Sequence, residues 1–295
     1  MIRHEVSDDD LCRLIIEESP TWLERAAAST DAHASAKCYS CDAPSWSEIK
    51  TVFMTVQRNK CAYCERPLED PKYGKIEWDI EHFRPKNTMR PWPAGKIAVE
   101  RRLDYDFETG AELPKGYYML AHSPHNYVAT CKPCNTPLKH DWFPIEGRRV
   151  QDSRDIRAYD AERALLPFPL GQHGVRPEEV VSFEGLAAIP RVQAGYLHRM
   201  GRVTVDFFDL NGRETLLRQR AEVIKTLWLA FIVIEHVPQG RDRTIAEKVL
   251  AGAAENEAPH TNCARAFVTL CRKDPDHARA LATAAIEYLV AGSGS

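Results

Sequence analysis

Two Cys-x-x-Cys pairs set 70 residues apart, Cys61-Ala62-Tyr63-Cys64 and Cys131-Lys132-Pro133-Cys134, constrain this chain more than any other feature. Paired thiolates at that spacing occupy one side of a tetrahedral metal shell, so two pairs predict a closed structural zinc site on Cys61, Cys64, Cys131 and Cys134. A site of that kind contributes on the order of 10 kcal/mol to folding in zinc-finger peptides. The clamped segment is not bland. It holds Asp79-Ile80-Glu81-His82-Phe83-Arg84-Pro85-Lys86 and His125-Asn126-Tyr127, and the second knuckle runs on into Asn135 and Lys139.

The rest of the composition sets boundaries on function. A length of 295 residues suits one large domain or two modest ones, and 44% hydrophobic content with mixed charges predicts a soluble globular chain. The net charge of -3 carries no global basic signature, so contact with nucleic acid would have to come from a local patch. Arg84, Lys86, Arg90, Lys96, Arg101 and Arg102 form one such cluster, and Lys132, Lys139, Arg148 and Arg149 another. No apolar run is long enough to cross a bilayer, residues 226–237 being the longest candidate, and the acidic start lacks a signal-type apolar core. The expected address is the cytoplasm, with no membrane partner. Thiols there stay reduced, which favours metal ligation over a disulfide framework. A third pair, Cys38-x-x-Cys41, falls in a polar stretch and reads as incidental, with redox activity as the alternative. Cys12, Cys263 and Cys271 sit in apolar helical patterns and read as core.

Element signals divide the chain into an N-terminal helical segment (1–60), a zinc-stapled core (61–150), a mostly helical C-terminal region (151–291) and a flexible tail (292–295). Apolar spacing predicts one helix and a second short one over 8–28, then a small, polar loop over 29–44. Ser45-x-x-Glu48 has the form of a capping box before Ile49, Val52, Phe53 and Val56 at helical spacing. Residues 75–80 can form a strand that ends at Glu81-His82. The breaker-rich stretch 87–115 reads as a long loop, and Tyr117, Tyr118 and Leu120 as a second strand or extended run. Pro133 suits the first turn of a helix started by the second knuckle. Further on, 180–189 reads as a hairpin around Gly185, 202–208 as helix or strand, and 215–234, 244–251, 260–271 and 276–290 as helices.

The central stretch carries residues that could serve phosphodiester cleavage. A histidine whose unperturbed pKa is about 6.5 can act as general base near neutrality. Cleavage also needs a cation beside the phosphate, and Glu81 and Asn135 are oxygen donors suited to a hard ion such as Mg²⁺ or Mn²⁺. Asn126 could hold the His82 ring by a hydrogen bond. His122-x-x-His125 has the spacing of a metal pair, but His122 reads as structural, and His125 and His140 as neighbours of the site. No His-Glu-x-x-His motif is present, so a zinc protease has little support.

In the order Cys-x-x-Cys, acid-His, Asn, Cys-x-x-Cys-Asn-x-x-x-Lys, the chain resembles the HNH endonuclease family. The resemblance implies an α+β, predominantly helical fold with a ββα-metal core, in which His82 is the general base, Glu81 the acidic metal ligand, Asn126 the middle Asn and Asn135 the third position. That third position is often His in the family, which makes this a His-Asn-Asn variant. Cys-Ala-Tyr-Cys-Glu, Ile-Glu-His-Phe-Arg-Pro-Lys and Phe143-Pro144-Ile145 resemble one branch more closely, the PtuB-type nucleases of Septu and retron-associated antiphage systems, as do Leu210-Asn211, Leu216 and Arg220. That branch acts with an ATPase, PtuA, and the likeness implies DNA as substrate, a docking role for the helical C-terminal region, and phosphate contacts from Arg84, Lys86 and Lys139. A reading of another class is a zinc-stabilised scaffold that holds nucleic acid or a protein without cutting. DNA retained without products under any divalent ion would separate the two.

Overall fold

Ser7 ends the N-terminal stretch as a helix cap, its hydroxyl accepting from the Asp10 amide, and three acidic residues in the first turn complement the helix dipole of α1, Asp8–Glu18. The computed structural model describes residues 1–40, 45–70, 72–74 and 76–292. Its chain separates into two compact units, one of residues 3–63 and 68–176, the other of 1–2, 64–67 and 177–295.

In the first unit α1 is followed by α2, Trp22–Ala36, which runs through residues that the sequence reading placed in a loop. Alanine supplies the propensity, and Ser29, Thr30 and Ser35 turn their hydroxyls onto carbonyls four residues back instead of breaking the turn. Ser45 caps a 3-10 turn, Trp46–Ile49, that leads into α3, Lys50–Val56. The strands β1, Trp78–His82, and β2, Tyr127–Cys131, pair antiparallel, with Trp78 opposite Cys131 and His82 opposite Tyr127. The run around Tyr117 is no strand. Tyr118–Leu120 is a 3-10 turn, closed by the Leu120 and Ala121 amides donating to the carbonyls of Tyr117 and Tyr118. A short helix, α4, Gly95–Glu100, interrupts the long connection between the strands. That connection is fastened by Arg149, whose guanidinium donates to the carbonyls of Ala111 and Phe143 and to the Tyr117 hydroxyl. At Gly116 φ is +57°, and a Cβ would meet the Asn87 backbone, so only glycine serves there. After β2, Pro133 precedes a helical turn, Cys134–Lys139.

Residues 151–176 pack with this first unit. Three tertiary contacts account for it: Glu162 with Arg84, Phe168 with Phe83, and Leu170 bridged to His4.

The second unit begins with a short turn of helix, α5, Pro177–Val180, and a hairpin of β3, Val181–Glu184, and β4, Ala187–Pro190, turning at Gly185 with φ +57°. Five helices follow: α6, Gly195–Phe207; α7, Glu214–His236; α8, Arg241–Ala253; α9, Thr261–Lys273; and α10, Pro275–Ala291. Its core packs Ile224, Leu227 and Trp228 of α7 against Phe267, Val268 and Cys271 of α9, with Ala278, Ala282 and Ala285 letting α10 approach closely. Asn211 pairs its amide both ways with the Ala188 backbone, and buried Arg220 donates to the carbonyls of Leu186 and Leu210. The motif residues of this region thus fasten the β3–β4 hairpin. The described residues are about half helical with two small antiparallel sheets. Among the described residues no helix is long and apolar enough to cross a membrane. Cys41 and the tail 293–295 lie outside the described residues.

Candidate metal and catalytic centre

The two knuckles meet as their spacing predicts. Cys61, Cys64, Cys131 and Cys134 are buried, and their Sγ atoms lie within 4.8 Å of one another. Zinc–sulfur bonds of about 2.3 Å place tetrahedral sulfurs about 3.8 Å apart, so this set fits a zinc ion with little movement. Among the described residues it is the one group of three or more metal-ligating side chains drawn together.

Gln57 positions the first knuckle, and nothing in the sequence marked it. Its amide donates to the carbonyls of Lys60 and Ala129 and accepts from the Ala129 amide, while Ala62 N–H also reaches the Ala129 carbonyl. The exposed edge of β2 is thereby closed by a side chain in place of a third strand.

His82 ends β1 almost fully buried, with its ring edge-on to Trp46 and Tyr127, each at a centroid distance of 4.9 Å. Its Nε2 lies 3.0 Å from the Ala121 carbonyl. A carbonyl only accepts, so Nε2 carries the proton and the lone pair of the neutral ring sits on Nδ1. Burial holds this imidazole well below the usual histidine range, with the cations Lys86 and Lys139 and the neighbouring His122 adding to the effect. The result is a neutral ring of fixed tautomer, able to accept a proton at Nδ1.

Strand alternation sends Glu81 to the other face of β1, together with Asp79. The Cys134–Lys139 turn presents Asn135 and Lys139 to these two acids: Asn135 Nδ2 donates to Asp79 Oδ2 at 3.0 Å, and Lys139 Nζ lies 3.4 Å from Glu81 Oε1. Asp79 also holds Lys132 at 2.6 Å. Burial raises the Glu81 carboxyl to about 7, against the opposing pull of Lys139 and Lys86. Burial likewise lowers Lys139, which Glu81 counteracts. Lys86 and Lys139 act on both Glu81 and His82, so the two faces share one electrostatic neighbourhood. The donors here, two carboxylates and the free Oδ1 of Asn135, are the hard oxygens that Mg²⁺ or Mn²⁺ requires. Asp79 was missed in the sequence, although its spacing of two from Glu81 on a strand was the available signal.

Asn126 does not hold the His82 ring. Its Oδ1 accepts from the Arg84 amide at 2.8 Å, and Nδ2 donates to the carbonyls of Arg84 at 2.9 Å and Leu120 at 3.2 Å. The side chain ties the exit of β1 to the 3-10 turn that supplies the Ala121 carbonyl, and so positions His82 through the backbone.

The expected phosphate contacts fare unevenly. Arg84 is buried, with Nε on Glu162 Oε2 at 3.0 Å and its guanidinium between the rings of Phe143 and Tyr159. An acid far along the chain, invisible to local reading, draws it inward, so Arg84 is an interior fastener. Lys139 is fully buried on Glu81. Lys86 is half-buried over Trp46, 4.5 Å from the ring centroid, and is the one of the three that keeps some exposure. Of the other histidines, His125 faces Asp8, His140 lies on Asp141, and His122 belongs to a separate cluster.

The fold and this centre describe an α+β chain with a four-cysteine clamp beside a buried histidine and an acid–amide–lysine cluster. No protein-family model matches the chain, and no solved structure matches it. The chain is similar to Septu protein PtuB of Bacillus mycoides (strain KBAB4), 27% identical over 186 residues, which are 63% of this chain and 54% of that protein. It therefore spans about half the length of the curated relative it matches.

Proposed function

We propose that this chain is a metal-dependent HNH endonuclease that hydrolyses phosphodiester bonds in DNA as the effector of an antiphage defence system, working with a PtuA-like ATPase. The observation that carries the reading is the His82 ring, neutral and fixed by the Ala121 carbonyl so that Nδ1 is its acceptor. In this role Nδ1 takes a proton from a water molecule whose oxygen attacks the phosphorus, and the bond from phosphorus to the leaving oxygen breaks. Asn126 keeps the carbonyl and the strand in register, and the four cysteines hold the knuckles on either side of the strand pair. A Mg²⁺ or Mn²⁺ ion on Glu81 and Asn135 would supply charge neutralisation at the phosphate and the leaving oxygen. Lys86, the half-buried member of the expected basic set, is the candidate DNA contact. The defence role and the ATPase partner rest on the similarity to Septu protein PtuB.

A second reading has two observations in its favour. Glu81 is already neutralised by Lys139, and two of the three expected phosphate contacts are interior, as suits a zinc-stabilised scaffold that binds without cutting. Plasmid cleavage with Mg²⁺, Mn²⁺ and Ni²⁺, with and without the ATPase, separates the two. Nicked or linear product supports the endonuclease. Retained plasmid without product under every ion and with the ATPase present supports the scaffold.

A further inference from the structure

The acid pair of β1 draws more cations than it has carboxylates. Asp79 and Glu81 share one face of the strand, about 6.8 Å apart along it. Lys139 Nζ lies 3.4 Å from Glu81 Oε1, while Lys132 Nζ lies 2.6 Å and Lys50 Nζ 4.0 Å from the same oxygen of Asp79, Oδ1. Glu77, the next residue on that face, turns its carboxylate to the Glu69 amide at 2.9 Å, and Asp141, which acts on Lys139, is held by Arg90. At Asp79 one carboxylate thus faces two ammonium groups. A local excess of positive charge of this kind attracts an anion.

Exposure sorts the three lysines. Lys139 is fully buried and Lys50 is 15% exposed, whereas Lys132 is 51% exposed and Asp79 beside it 25%, so the open part of this face is its Asp79 end. The groups there are held in place. Lys50 Nζ sits 4.4 Å from the centroid of the buried Trp78 ring, and Lys132 stands inside the second knuckle, between Cys131 and Cys134. Asn135 donates to Asp79 Oδ2 at 3.0 Å and fixes the carboxylate from its other side. An ammonium group has three donors. Asp79 takes one from Lys132, which leaves two for an oxyanion without breaking the pair.

We propose that Lys132 and Lys50 bind a backbone phosphate of the nucleic acid, beside the phosphate that is cut. The inference rests on the endonuclease reading and supplies what Arg84 and Lys139 do not, because both of those are interior. With Lys86 on the His82 side and Lys132 on the Asp79 side, each flank of the candidate centre carries a cation. Lysine meets a phosphate as a point charge whatever the base, so this contact carries affinity and register and no sequence preference.

Fluorescence anisotropy of labelled duplex DNA with the full chain, free of divalent ions so that nothing is cut, tests this over a series of NaCl concentrations. The slope of log K against log salt counts the phosphates neutralised, at about 0.9 per contact. Lys132→Gln is expected to reduce the slope by roughly 1 and to weaken binding alike on unrelated sequences, while Lys132→Arg keeps the parental slope. Lys132→Gln/Lys50→Gln is expected to reduce it further; if that variant, which also loses the contact with Trp78, does not fold, the surface substitution at Lys132 alone decides. Lys248→Gln removes the same charge from exposed α8 surface in the second unit and is expected to leave the slope unchanged. A parental slope in Lys132→Gln, or an equal fall in Lys248→Gln, overturns the proposal and leaves the endonuclease reading standing. A parent that binds no DNA at any salt concentration overturns both.

Discussion

Replacing Asn126 with alanine probes how the candidate centre is held. The side chain is fully buried and makes three hydrogen bonds, to the Arg84 amide and to the carbonyls of Arg84 and Leu120. Each such bond contributes about 1 kcal/mol net, and the backbone groups left behind are too deep for water to satisfy, so Asn126→Ala is expected to cost about 3 kcal/mol. For a domain of this size each kcal/mol lowers the melting temperature by about 2–4 °C, which predicts a fall of roughly 6–12 °C. Asn126→Asp sharpens the test. The carboxylate still accepts from the Arg84 amide but meets two carbonyls where the amide donated, so it is expected to be at least as damaging near neutral pH. Thermal unfolding and urea denaturation of the three proteins supply the numbers. An alanine variant that melts within about 2 °C of the parent, at a per-kcal shift of that size, would refute this positioning role.

Other perturbations follow from the same geometry. Arg84→Ala strands buried Glu162 without its ion pair and is expected to cost about 3–5 kcal/mol, part of which returns in the Arg84→Ala/Glu162→Gln double variant; denaturant unfolding checks both. Cys131→Ser removes one sulfur of the four-cysteine group, and elemental analysis should show the loss of that site's ion together with a large drop in melting temperature. Burial lowers His122 from 6.5 to about 4, so its neutral form contributes stability that is fully present above pH 6.5 and is lost as pH falls toward 4. The loss is at most about 3 kcal/mol, and a His122→Phe variant should show a flatter stability profile between those limits.

The four-cysteine group was legible because ligand spacing is a local property: each Cys-x-x-Cys turn sets its own half of a possible metal shell, and only the meeting of the halves needed the fold. The helical C-terminal region was readable for a similar reason, since α7, α9 and α10 carry apolar positions at helical spacing. What escaped were partners far apart in sequence. Arg84 reads locally as a surface cation in a basic run, yet Glu162 and the rings of Phe143 and Tyr159 take it into the interior. Asn126 was found as a residue but misjudged in role, because its backbone partners exist only once β1 and the turn before β2 come together. Gln57 gave no signal at all. A glutamine that closes a strand edge looks like any helix-end glutamine until Ala129 lies beside it.

The account depends most on Nδ1 of His82 being the proton acceptor in strand cleavage. The direct measurement is plasmid cleavage by a His82→Gln variant, whose amide nitrogen reaches the Nε2 position and can still donate to the Ala121 carbonyl, assayed with Mg²⁺ or Mn²⁺ and the ATPase alongside zinc content and melting temperature. The account predicts that cleavage disappears while bound zinc and stability stay close to the parent. Cleavage at the parental rate by a folded, zinc-loaded variant would contradict it.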